Sequence, residues 1–195
     1  MELKDSILGR RSIRRYKTKP VPVEVLGDIL DIARFAPSAG NLQNWQFVIV
    51  KDSVKKKEIA SACLEQNWMM QAPVLIVICN KYEKVKKLYG KLGKMFSIQD
   101  CAIVAANIML LAKDHSLDTC WVGAFDNEAI QRILELPDSV DPEIILALGY
   151  SNDAKHDKHK RKELKELVYF EKWGNKEADF SKKSIKDKLK SLLKK

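Results

Sequence analysis

The spacing of apolar residues changes along the chain, and each change marks an element. Leu3 and Ile7 stand one helical turn apart and predict a short opening helix. After Pro22, which a first helical turn tolerates, Leu26, Ile29, Leu30 and Ala33 follow the i, i+3, i+4, i+7 pattern, and that helix should stop before Pro37. "WQFVIVK" (45–51) and "PVLIVIC" (73–79) are short β-rich runs, the second apolar on both faces as in a strand covered above and below. Between them "SVKKKEIASACL" reads as a helix. From Ser97 the stretch "SIQDCAIVAANIMLLAKDH" is apolar nearly all round, which a surface helix cannot be, so a central buried helix is expected. "TCWVGAF" (119–125) predicts a third strand, Asp126 the N-cap of a helix to Leu136, "EIILALG" (143–149) a fourth strand and "LVYFEKW" (167–173) a fifth. At the end, "SIKDKLKSLLKK" puts Ile185, Leu189, Leu192 and Leu193 on one face with lysines opposite, an amphipathic helix. The fold class that follows is α+β with a central sheet.

Composition narrows this only a little. With 195 residues, 46% hydrophobic and 31% charged, the chain suits one packed domain. No unbroken apolar run reaches the length of about 18 residues that a bilayer demands. "MELKDSILGRR" lacks the extended apolar core of a signal peptide, so a cytoplasmic protein is expected. Cys63, Cys79, Cys101 and Cys120 are widely spaced among apolar neighbours and read as buried free thiols. His156 and His159 form an H-x-x-H pair among lysines, and with His115 they give no ligand set, so no metal is expected. The net charge of +9 would suggest nucleic acid if it covered a face. Residues 155–195 hold 15 Lys/Arg against 7 Asp/Glu, however, while residues 1–154 hold 20 against 19. The body is almost neutral and the basic character belongs to the C-terminal segment.

Two stretches carry candidate chemistry. In "RRSIRRY" (10–16), guanidinium forks match phosphate oxygens and a serine hydroxyl adds a compact donor, so Arg10, Arg11, Ser12 and Arg14 could clamp one dianionic group. The competing reading is a solvated turn. In "APSAGNLQNW" (36–45), Pro37 ends the helix, and Ser38, Ala39 and Gly40 allow close backbone approach. Asn41 and Gln43 there offer donors and acceptors to a heterocycle edge. An ordinary helix-to-strand loop uses the same residues. The two stretches flank one helix, and together they meet the demands of flavin mononucleotide (FMN). No Ser/His/Asp or Cys/His arrangement competes.

The segments "LGRRSIRRY", "ILDIARFAPSAGNLQNWQFVIV", "CWVGAFDNEAI" and "ALGY…KRKELKELVYFEKWG" resemble, in order over roughly residues 3–174, the nitroreductase family of FMN flavoproteins. The resemblance implies a mostly antiparallel sheet flanked by helices in a domain of residues 1–174. Residues 175–195 would then pack as a helix on a domain-swapped type of homodimer, with the central helix in the dimer contact and two FMN sites at the interface. Carried over residue by residue, Arg10, Arg11, Ser12 and Arg14 hold the phosphate and ribityl end, and Arg161, with Lys160 beside it, completes the phosphate site. Pro37, Ser38, Ala39, Asn41 and Gln43 match the loop that approaches the isoalloxazine from the partner subunit. The Gly123 amide matches the group facing flavin N5, with Trp121, Val122 and Ala124 lining that side. Asn44 stands where relatives often have proline. The segment from Asn80 to Phe96 is shorter than the inserted helices of larger relatives, which implies an open site. The implied activity is hydride transfer from NADH or NADPH through flavin N5 to a nitroaromatic or quinone in a ping-pong cycle. It needs no catalytic side chain and involves neither nucleic acid nor membrane. The alternatives are another flavin enzyme on this scaffold (a dehalogenase, a dehydrogenase or a flavin-fragmenting enzyme) and a basic-tailed module for nucleic acid or anionic membrane.

Overall fold

Residues 2–152 and 160–176 are described by a computed structural model of the chain. They fall into two compact units, Met1–Lys155 and His156–Lys195.

In the first unit the chain runs α1 (Leu3–Gly9), α2 (Val23–Ala33), β1 (Trp45–Val50), α3 (Ser53–Ala62), β2 (Val74–Asn80), α4 (Glu83–Tyr89), α5 (Gly93–Asp114), β3 (Asp118–Val122), α6 (Asn127–Leu134) and β4 (Asp141–Gly149). The strands form one sheet in the order β1-β2-β4-β3, every neighbouring pair antiparallel. All seven residues of β2 are buried, as its unbroken apolar run requires. Because strand side chains alternate, that run feeds two cores. Val74, Ile76 and Ile78 join Ile144, Leu146 and Leu148 of β4 in packing against α2 and α5. Leu75, Val77 and Cys79 point the other way with Ile145 and Ala147, against Ile59 of α3 and Ile130 of α6. The sheet is therefore the middle of three layers.

Local chemistry sets the helix ends. The Asp52 carboxylate accepts the Lys55 N–H at 2.8 Å to start α3, and Asp126 accepts the Ala129 N–H at 3.0 Å to start α6. Helix α6 ends at Leu134, two residues before the expected Leu136, because Glu135 turns left-handed at φ 54°. Helix α5 begins four residues earlier than expected. It can do so because Gly93 lies hard against α4, where an added Cβ would stand 2.5 Å from the Lys86 Cα. Helix α4 itself is an element the apolar pattern did not reveal.

Two helices keep apolar residues uncovered within one chain. Helix α5 is not covered on every side: Val104, Ala105, Ile108 and Ala112 are buried, whereas Met95, Ile98 and Ile103 are exposed. The apolar pair of α1, Leu3 and Ile7, is likewise exposed. Within Glu83–Asp114, 18 consecutive residues reach a mean hydropathy of 1.7, apolar enough by length and composition to cross a membrane, although no unbroken apolar run has that length. Nine residues of α5 are nonetheless buried within the chain, as in the core helix of a globular domain.

In the second unit the expected strand at 167–173 is absent. A short helix α7 (Leu164–Leu167) opens with the Glu166 carboxylate accepting the Glu163 N–H at 2.8 Å. The chain then turns on itself, the Phe170 N–H donating to the Asn175 carbonyl at 2.9 Å. Glu171 and Gly174 sit at positive φ in that turn, so the segment is bent where a strand would be extended. The expected amphipathic helix at 184–195 lies outside the described residues.

Candidate functional site

The arginine stretch is laid along the sheet. The Ile13 N–H donates to the Thr119 carbonyl at 3.0 Å and the Lys17 N–H to the Tyr150 carbonyl at 2.9 Å. Ile13 and Tyr16 are buried pegs, the Tyr16 hydroxyl donating to the Ile13 carbonyl at 2.7 Å. Burial holds that phenol well above its ordinary pKa. With Ile13 turned inward, Ser12 and Arg14 are turned out. They meet Arg10 around one buried group, the Cys120 thiol of β3. Burial raises the pKa of this thiol, while the Arg14 and Arg10 charges and a hydrogen bond with Ser12 pull it back. Among the described residues neither Arg10 nor Arg14 has a carboxylate partner. The Arg14 guanidinium stands 5.6 Å over the Trp68 ring. Arg11 turns back instead, donating to the Leu8 carbonyl at 2.8 Å and the Arg10 carbonyl at 2.7 Å, where it caps the end of α1.

The second stretch forms a tight loop between α2 and β1. Pro37, Asn41 and Gln43 are exposed, and Ser38 and Ala39 half-buried. Ser38 closes the loop, its hydroxyl accepting the Gln43 N–H at 3.0 Å. The Gln43 amide donates to the Asn41 carbonyl at 3.1 Å. Gly40 takes φ 57° and packs under α4, where a Cβ would meet Leu88 Cδ2 at 3.0 Å and Tyr89 Oη at 3.2 Å. The left-handed φ favours glycine there, and a larger residue would also have to push aside the ends of those two side chains.

At the end of β3, Trp121 is partly exposed, Val122 points its side chain into the core, and Gly123 and Ala124 are exposed. Val122 therefore has only its backbone to offer a ligand. Lys160 and Arg161, in the second unit, are both exposed.

Although the arginine stretch and the loop flank α2 in the chain, the sheet order separates them. The loop leads into β1 at one edge, and the arginine cluster lies along β3 at the other, with β2 and β4 between. Three strand spacings are roughly 14 Å. Gly123 is at the same end of the sheet as the loop but at the opposite edge. One chain thus gathers Arg10, Ser12 and Arg14 into one group, and Ser38, Ala39, Asn41 and Gln43 into another.

Periodicity missed two residues under the loop. Asp100 and Asn44 are each 4% exposed and bond to the loop or to its neighbours. Their signal was faint: one acidic residue in an apolar helix, and an asparagine at the mouth of a strand.

An antiparallel sheet between two helical layers, with a donor cluster at one edge and an amide-bearing loop at the other, defines the class. The model of the nitroreductase family matches residues 7–68 and 61–150, and the chain belongs to that family. A relative from Methanothermobacter thermautotrophicus is 32% identical over 154 residues, 77% of this chain and 78% of its own length. The FMN reductase [NAD(P)H] of Bacillus subtilis is 28% identical over 166 residues, 78% of this chain and 67% of its own. Among solved structures, an FMN-dependent nitroreductase from Clostridium difficile R20291 superposes with a TM-score of 0.76 at 28% identity, over 87% of this chain and 99% of that one.

Proposed function

We propose that this chain is an FMN-dependent oxidoreductase that draws electrons from NADH or NADPH and delivers them to a small acceptor such as a nitroaromatic or a quinone, working as a cytoplasmic homodimer. The observation that carries this reading is the cluster of Arg10, Ser12 and Arg14. The Arg10 and Arg14 charges and the Ser12 hydroxyl all act on the Cys120 thiol, and among the described residues neither guanidinium has a carboxylate partner, which suits a dianionic phosphate. FMN, when bound, supplies a ring able to accept and return a hydride equivalent. The residues of the first unit suit it: Arg10, Ser12 and Arg14 would hold the phosphate end, and Ser38, Ala39, Asn41 and Gln43 would meet the ring edge, while Lys160 and Arg161 are candidates on the family resemblance alone. Gly123 stands exposed at the end of β3, beside the Trp121 indole. Donor and acceptor would use the same open face in turn, a ping-pong order.

The separation of the two groups supports the homodimer reading. A second copy offers its own loop to the arginine edge of the first, and a two-fold axis repeats the arrangement. The surface such a copy would cover is apolar: Leu3 and Ile7 of α1, Ile32 and the 75% exposed Phe35 at α2, and Ile103 of α5. A hollow of about 280 Å³ on the same face is lined by Leu3, Ile32, Leu110 and Leu111 together with the polar Ser6, Asn107 and Asp114.

An absorbance spectrum tests the reading. The purified protein should be yellow, its flavin bands bleaching when NADH or NADPH is added without oxygen and returning with a quinone or nitroaromatic. A colourless protein that takes up no added FMN would overturn it.

A further inference from the structure

The loop at 38–43 is held in an unfavourable shape. Gly40, Asn41 and Gln43 have φ of 57°, 54° and 47°, and two of the three carry a Cβ that resists the left-handed region. Such strain persists only where the surroundings over-determine it. Within the loop the Asn41 N–H reaches the Ser38 carbonyl at 3.0 Å and the Leu42 N–H the Ala39 carbonyl at 3.1 Å, bonds that any tight turn makes. The Ser38 hydroxyl accepting the Gln43 N–H at 3.0 Å and the Gln43 amide donating to the Asn41 carbonyl at 3.1 Å add restraint from within, and further restraint comes from outside.

Each end of the loop is tied to buried polar groups. At the start, the Ala39 N–H donates to Asp100 Oδ1 on α5 at 3.0 Å. At the finish, the Asn44 side-chain amide donates to the Ser97 carbonyl of α5 at 3.1 Å and to Asn80 Oδ1 of β2 at 2.8 Å. Ser97 and Asp100 are three residues apart, so one face of α5 presents both anchors. Asn80 is itself fixed, donating to Ser97 Oγ at 2.9 Å and Glu143 Oε1 at 2.8 Å.

These anchors are costly to folding. Asp100 Oδ2 and Asn44 Oδ1 are buried without a hydrogen-bond partner among the described residues. Burial accordingly pushes the Asp100 pKa up, against the pull of the Ala39 N–H. A buried carboxylate that satisfies one N–H is a poor stabiliser next to an apolar side chain of the same volume. Its contribution is geometric.

We propose that Asp100 and Asn44 are the positioning residues of the cofactor loop, two buried polar side chains that hold its strained backbone in the ring-binding shape before FMN arrives. The inference rests on the loop assignment of the proposed function. It gives Asn44 a task as well: where a proline would stiffen the backbone covalently, this chain pins the loop through a side chain.

The test compares Asp100→Leu, Asp100→Asn and Asn44→Ala in the full chain, reading hydrogen exchange of residues 36–45 in cofactor-free protein and FMN affinity by fluorescence titration. Asp100→Leu and Asn44→Ala should each speed loop exchange and weaken FMN binding by about tenfold or more, the loss of a hydrogen bond to a buried group. Exchange in β2 and β4 should stay unchanged, which separates loop release from general loosening. Asp100→Asn keeps the Oδ1 acceptor and should stay within about threefold of the parent on both readouts. Unchanged loop exchange in Asn44→Ala and in whichever Asp100 variants fold would overturn the proposal. So would an Asp100→Asn protein as defective as Asp100→Leu, or a released loop that leaves FMN affinity intact. If the parent protein binds no FMN, the functional reading falls, while the exchange data still decide whether the anchors hold the loop.

Discussion

An arginine side chain is long enough that its neighbours, more than its position in the chain, decide what it does. Arg10, Arg11 and Arg14 look equivalent in "RRSIRRY", yet Arg11 folds back onto the Leu8 and Arg10 carbonyls at the end of α1 while the charges of the other two act on the Cys120 thiol. Replacing Arg14 by Ala should therefore weaken FMN binding by about 1.5–3 kcal/mol, roughly 10- to 150-fold, the range for a hydrogen bond to a charged group. Riboflavin has no phosphate and should bind parent and variant alike, so parallel fluorescence titrations isolate the phosphate contact. Equal FMN affinity in both proteins would return the stretch to a solvated turn. The inward turn of Ile13 and the outward turn of Ser12 and Arg14 come from pairing with β3 and were not legible in the stretch itself. Nor were the partners of Asp100 and Asn44, because a polar residue's partner is set by tertiary contacts up to 61 residues away in the chain. The four thiols were legible from their apolar neighbours. All are buried, and burial pushes those of Cys63 and Cys79 up to about 12, which leaves them protonated and inert at neutral pH.

Elements were legible wherever burial repeats along the chain. The unbroken run of β2 and the period of α2 each describe a surface that the fold covers, and both appear within a residue or two of the expected bounds. "LVYFEKW" has the composition of a strand, but a strand also needs a neighbouring edge, and here the backbone turns at Glu171 and Gly174. Helix α4 was hidden for the opposite reason: of its seven residues only Val85 is buried, too few to set a period. Packing between elements makes a sharper prediction than pattern does. Gly93 lets α5 start directly against α4, and the atoms an added Cβ would strike are backbone, which cannot move aside. Gly27, inside α2, has nothing within 4 Å of the same position. Gly93→Ala should lower stability by about 1–3 kcal/mol through overpacking. Gly27→Ala should raise it by about 0.5–1 kcal/mol through helix propensity. Urea unfolding of the two variants beside the parent reads both signs; a Gly93→Ala protein as stable as the parent would mean that the two helices are less closely pressed than described.

At the scale of the whole molecule, the question is how two groups at opposite edges of one sheet make a single site. The charge balance does not answer it, since residues 1–154 carry 20 Lys/Arg against 19 Asp/Glu and have no overall field to organise a partner. On the proposed reading, apolar cover and symmetry would. If the arginine edge of one chain is completed by the loop of another, a two-fold dimer holds two sites, each drawing one group from each chain. Arg14→Ala and the loop variant Asn41→Ala/Gln43→Ala should then each bind FMN weakly alone. A heterodimer of the two, isolated through different affinity tags, places both defects in one site and leaves the other intact, so it should bind about one FMN tightly per dimer. If each site were built within one chain, every site of the heterodimer would keep one defect and no tight binding would return. Flavin stoichiometry of the purified heterodimer distinguishes the two: about one tight FMN supports the shared site, and none overturns it.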